Sequence, residues 1–152
     1  VKRLTVGSAI DTEANWLPDG SGLVFTSDRG GRPQTYQVGT EGGAPRRMTF
    51  DGAYNARPSV SDDGRYLATV QGCGGGFCIA VQDLKSGASR TLSKGPLDES
   101  PSFAPNGSML LYAASEGGRS VLKVVSVEGR ANTRLSFQQG KVRDPAWGPY
   151  RQ

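Results

Sequence analysis

The sequence predicts an all-β chain of repeated four-stranded units, the pattern of a β-propeller. Three observations point there. The chain is self-similar with a period near 44 residues, glycine-rich turn signals separate short β-branched and aromatic runs, and no stretch shows helical periodicity.

The period appears in two independent markers. Trp16, Val60, Phe103 and Trp147 follow one another at 44, 43 and 44 residues. The pairs Leu4-Thr5, Met48-Thr49, Leu92-Ser93 and Leu135-Ser136 repeat at 44, 44 and 43. Each unit reads as four short strands. In the first they are 14–17, 23–27, 35–38 and 46–49; in the second 59–61, 66–70, 77–83 and 90–93; in the third 102–104, 109–114, 121–127 and 133–137. Pro18-Asp19-Gly20, Asp62-Asp63-Gly64 and Pro105-Asn106-Gly107 place glycine last, where a tight turn needs positive φ.

Four antiparallel strands per period make a propeller blade, which must stack on neighbours to bury its apolar faces. The expected blades are 11–54, 55–97 and 98–142. Residues 1–10 read as the outer strand of a preceding blade, and 143–152 as the inner strand of a following one. Three blades are too few to close a flat ring. The reading is part of a six-bladed ring: a fragment of a longer chain, or an assembly in which another chain or a second copy covers the open ends. Trp16, Val60, Phe103 and Trp147 are expected to pack between blades.

Composition narrows the function. The net charge is +4, but the basic residues are scattered and no stripe interleaves them with aromatics, which argues against nucleic-acid binding. No apolar run is long enough for a membrane-spanning helix. No signal peptide opens the chain, so the signal of a secreted protein would lie upstream or have been removed. There are no histidines, which removes Ser-His-Asp and Cys-His catalysis and most zinc sites from this segment. No catalytic residue and no metal site is assigned. Cys73 and Cys78 flank a four-residue gap between strands; if directly opposed they could form a disulfide in an oxidising compartment.

The loops between blades share one face with the middle hairpins of each blade. They run about 7–13, 51–57, 94–100 and 138–144 and hold six of the 14 acids. The candidate partner-binding residues are Asp11, Glu13, Asp51, Tyr54, Asn55, Arg57, Asp98, Glu99, Lys141 and Arg143. Mixed charges with an aromatic anchor suit a protein partner. Converging side-chain oxygens could also hold a calcium ion in the channel, but no D-x-D-x-D-G loop is present and no cofactor is assigned.

Residues 17–29, with Pro18-Asp19-Gly20 followed by Phe25 and Ser27-Asp28-Arg29, resemble the PD40 or WD40-like propeller repeat. Longer strings are similar to the C-terminal propeller of the TolB family. Among them are FTSDRGGRPQTYQV at 25–38, LDESPSFAPNGSMLLYAAS at 97–115 and DPAWGPY at 144–150. The resemblance covers essentially the whole chain. Asp62 departs from it, standing where the repeat usually has proline, and so does the cysteine pair. The resemblance implies a non-enzymatic periplasmic component of the Tol–Pal cell-envelope system. It implies binding to a Pal-like peptidoglycan-associated lipoprotein, to Tol proteins through parts absent from this chain, and a role in outer-membrane integrity and cell division. The alternatives are the non-catalytic gating propeller of a prolyl-oligopeptidase-type peptidase, and a propeller piece with no activity of its own.

Overall fold

The computed structural model describes residues 1–135 and 140–149. Twelve strands form three four-stranded antiparallel sheets, each in simple meander order. The first contains β1 (Asp11–Trp16), β2 (Gly22–Ser27), β3 (Gln34–Gly39) and β4 (Arg46–Arg47). The second contains β5 (Asn55–Val60), β6 (Tyr66–Cys73), β7 (Gly76–Asp83) and β8 (Ser89–Thr91). The third contains β9 (Glu99–Phe103), β10 (Met109–Glu116), β11 (Arg119–Ser126) and β12 (Asn132–Arg134). The expected end of the last strand, Ser136-Phe137, lies outside the described residues.

Turn chemistry sets the β1–β2, β5–β6 and β9–β10 connections identically. Gly20, Gly64 and Gly107 adopt φ of 71°, 71° and 68°. Each donates its N–H back to a carbonyl, of Leu17, Ser61 and Ala104 respectively. The preceding Asp19, Asp63 and Asn106 accept the N–H of Ser21, Arg65 and Ser108, each at 3.0 Å. The second repeat marker also acquires a reason. The hydroxyls of Thr49 and Ser93 accept the N–H of Thr35 and Ile79, closing the outer strand onto the third strand of its blade.

The sheets pack face to face. β5 lies against β1, β2 and β3, and β9 lies against β5, β6 and β7. Between the second and third blades Ala68, Val70, Ile79 and Val81 meet Phe103, Leu110, Tyr112 and Val121 in one buried cluster. A polar joint reinforces the first seam. Asn55, 2% exposed, donates through Nδ2 to Gln34 Oε1 of the neighbouring blade (3.0 Å) and to the Asp51 carbonyl (2.7 Å). Its Oδ1 accepts from Thr69 and Gln71, both at 3.3 Å.

Two expectations are corrected. The four repeat-marker side chains do not share one environment: Phe103 is 8% exposed, Trp147 39% and Trp16 64%. Val60 is half-buried. Trp16 pairs with Leu23 and so shares its face with Leu23 and Phe25, the side of blade one turned away from blade two. Among the described residues, 1–10 and 143–149 take no part in strand pairing. They still rest on the blades: Leu4 packs against Phe25, Tyr36 and Val38, and the Trp147 N–H reaches Ser102 Oγ at 3.1 Å. Finally, the gap between the cysteines is a two-residue Gly74-Gly75 turn. Cys73 lies opposite Gly76 and Cys78 opposite Gln71, so the cysteines are diagonal neighbours on one face, with Cα atoms 6.1 Å apart, and are joined as a disulfide.

Replacing Asn55 with alanine leaves Gln34, Thr69 and Gln71 short of a buried partner. The expected loss is about 1–3 kcal/mol in urea unfolding. Thiol titration of the unreduced, denatured chain should detect no free sulfhydryl.

Candidate partner-binding face

Each inner strand carries one irregularity at the same place. The pairing registers shift between Thr12 and Asn15, between Ala56 and Ser59, and between Leu111 and Ala113 opposite β9. At these bulges Glu13, Arg57 and Ser100 adopt φ of 56°, 51° and 55°, and Asp144 joins them at 46°. They are the only non-glycine residues with positive φ among those described, and they occupy equivalent repeat positions. A left-handed conformation costs a side-chain-bearing residue about 1–2 kcal/mol. A bulge re-aims a side chain that regular pleating would turn into the sheet.

The four side chains meet. Arg57 Nη1 donates to Asp144 Oδ1 at 2.9 Å and to Ser100 Oγ at 2.6 Å, and Ser100 Oγ donates to the same carboxylate oxygen at 2.7 Å. Arg57 Nε lies 3.3 Å from Glu13 Oε1, and Nη2 lies 4.0 Å from Glu99. Glu13 Oε2 accepts the Arg57 backbone N–H at 2.9 Å and the Thr26 hydroxyl at 2.8 Å. One guanidinium is thus surrounded by three carboxylates at the mouth of a groove of about 480 Å³, lined by residues from all four inner segments. Hydrogen bonds from Ser100 and Arg57, with the Arg57 charge, hold the Asp144 carboxyl below the usual aspartate range.

The remaining candidates divide. Tyr54 stands beside this network, its ring 5.1 Å from Phe77, and burial together with the Glu13 charge pushes its hydroxyl pKa up. Asp98 is buried, with Oδ2 on the Gly95 N–H. Asn55 is the buried seam residue described above and offers a partner nothing. Asp11 is committed to Arg29 through two contacts of 2.8 Å, and Asp51 accepts from Ser89. Lys141 and Arg143 are exposed. Sequence reasoning missed Ser100, Phe77 and Leu97 as site residues and left Asp144 out of the candidate set. Ser100 and Asp144 were findable, because they sit in phase with Glu13 and Arg57. Among the described residues no group of three or more His, Cys, Asp and Glu side chains is placed to hold a metal ion.

The family profile described as the TolB β-propeller domain, PD40, matches residues 1–151. The chain belongs to this family. Its relatives include the Tol-Pal system protein TolB of Xanthomonas campestris pv. campestris, 57% identical over 117 residues, which are 76% of this chain and 27% of that protein. The structure of TolB from Acinetobacter baumannii superposes with a TM-score of 0.89 at 47% identity, covering 98% of this chain and 38% of the other. A Mycobacterium tuberculosis puromycin-hydrolyzing peptidase (TM-score 0.72, 21% identity, 84% of this chain and 22% of that one) shares the fold alone. The matched residues therefore span only 27% of the Xanthomonas protein and 38% of the Acinetobacter chain. No helix among the described residues is long and apolar enough to cross a membrane.

The depressed Asp144 value fixes the direction of pH dependence. Its contribution is complete above the unfolded aspartate value and is lost only as pH falls through the lower folded value. The Asp144 carboxyl resonance should titrate below the ordinary aspartate range, and Ser100→Ala should shift its midpoint upward.

Proposed function

We propose that this chain is the protein-binding propeller portion of a Tol–Pal component, docking a Pal-like peptidoglycan-associated lipoprotein domain on its loop face. The observation that carries the reading is the Glu13–Arg57–Ser100–Asp144 network. Four residues with positive φ gather polar groups from four inner segments at the mouth of one groove. An aromatic pair adjoins it, giving the combination of charge steering and apolar anchorage used by protein interfaces. Membership of the TolB propeller family supports a partner within the Tol-Pal system.

In this reading the protein works in the periplasm, supports outer-membrane integrity and cell division, and performs no catalysis. Tol proteins of the inner membrane are engaged by parts of the full-length relatives that this chain does not include.

Calorimetric titration with a Pal-like periplasmic domain is expected to give a Kd between micromolar and nanomolar, about −8 to −12 kcal/mol. Arg57→Glu, which places a fourth negative charge at the channel mouth, should weaken binding by at least about tenfold, or 1.4 kcal/mol. Absence of binding by the folded wild-type chain would remove this reading.

A further inference from the structure

At the seam of the second and third blades, beside the charged network, the backbone is held tightly and the side chains are not covered. The Phe77 N–H donates to the Pro96 carbonyl at 3.1 Å, and the Phe77 carbonyl accepts from Asp98 at 3.0 Å. Phe77 and Leu97 thereby form a parallel bridge that attaches the inter-blade loop to the β6–β7 hairpin. A methyl group at Gly76 would meet the Pro96 oxygen at 2.4 Å, so only glycine permits this approach. The disulfide ties the same hairpin end. Yet Phe77 is 37% and Leu97 57% exposed, and Tyr54 leans on Phe77. These three side chains wall a cavity of about 210 Å³ with buried Val70 among its lining.

The charge around this apolar wall is unbalanced. Glu13, Asp98 and Glu99 border the cavity against Arg57 alone. Arg57 divides its charge among Glu13, Glu99 and, outside the cavity, Asp144.

Asp98 adds an independent sign. It is 1% exposed, and its Oδ1 has no hydrogen-bond partner among the described residues. The equivalent residue one blade earlier, Asn55, is fully engaged by Gln34, Asp51, Thr69 and Gln71. One repeat later those positions have become Cys78, Gly95, Tyr112 and Ala114, of which only Gly95 still bonds the side chain. A buried carboxylate stripped of donors favours a cation nearby.

We propose that this cavity receives a lysine or arginine side chain of the docked partner. The methylene stem packs on Tyr54, Phe77 and Leu97. The charged head turns to Glu99 and Glu13, with Asp98 supplying negative potential from beneath. Aromatic faces and carboxylates together favour a long cationic side chain over a neutral one of the same shape. The inference rests on the proposed docking role for the identity of the partner, but not for the chemistry of the cavity.

The test separates the two. The ¹⁵N-labelled chain is titrated with Nα-acetyl-arginine methylamide and, in parallel, with the neutral isostere Nα-acetyl-citrulline methylamide. Saturable shifts at Phe77, Leu97, Asp98 and Glu99 are expected with the arginine compound, at least about fivefold tighter than with citrulline. Phe77→Ala and Glu99→Gln should each weaken the arginine response about threefold or more. Asp62→Asn, in a turn on the opposite face, should leave it unchanged. Equal responses to both compounds, shifts confined elsewhere, or no saturation would overturn the assignment. Calorimetry on the same variants with the Pal-like domain completes the separation. If wild type binds and both cavity variants bind equally well, the cavity assignment falls and the docking role stands. If wild type does not bind, the docking role falls and the arginine titration still decides the cavity.

Discussion

Every feature of this molecule depends on one sheet pressing its face against the next. A four-stranded blade has two apolar faces and cannot hide either alone. Here Ile79 from the second blade and Leu110 and Val125 from the third reach complete burial in a shared layer. The inner strands β5 and β9 each pack against the three inner strands of the preceding sheet as well as their own, so their positions are dictated from both sides. That double constraint is what permits a strained bulge there to persist: the surrounding packing leaves the strand no alternative path.

The bulges convert a packing device into a chemical one. Regular alternation would send successive inner-strand side chains into one seam or the other. A left-handed residue interrupts that alternation and frees one side chain per blade to turn toward the channel. Repetition then brings four such side chains together from residues as far apart as Glu13 and Asp144. Because the repeat has diverged at this position into Glu, Arg, Ser and Asp, the meeting is a complementary network and not a ring of identical charges. The same divergence, acting at Asn55 and Asp98, leaves one seam with a saturated polar joint and the next with an unsatisfied carboxylate beside an apolar cavity.

Much of the blade plan was legible in the chain. The three Gly turns and the strand pairs they join follow from local chemistry that acts over a few residues, whereas the Thr49 and Ser93 closures were visible only as a repeated marker. The inner strands were read short by three or four residues at their beginnings, at Asp11, Asn55 and Glu99. Their first residues are polar and look like loop. Asn55 and Asp98 were assigned to a binding face for the same reason. Polarity normally marks exposure, and only a neighbouring blade turns these positions inward. The diagonal cysteine pairing was missed because the hairpin turn is two residues long, which Gly74-Gly75-Gly76 does not specify.

The order of residues alone determined the period, the four-strand unit and the place of the Gly20, Gly64 and Gly107 turns, since these are set by steric limits within each stretch of backbone. Tertiary structure decided which polar residues are partners and which are ballast in a seam. It also decided that Trp16 is open while Phe103 is covered, and that Arg57 faces three carboxylates. Those outcomes depend on distances between blades, and such distances exist only after whole sheets have packed.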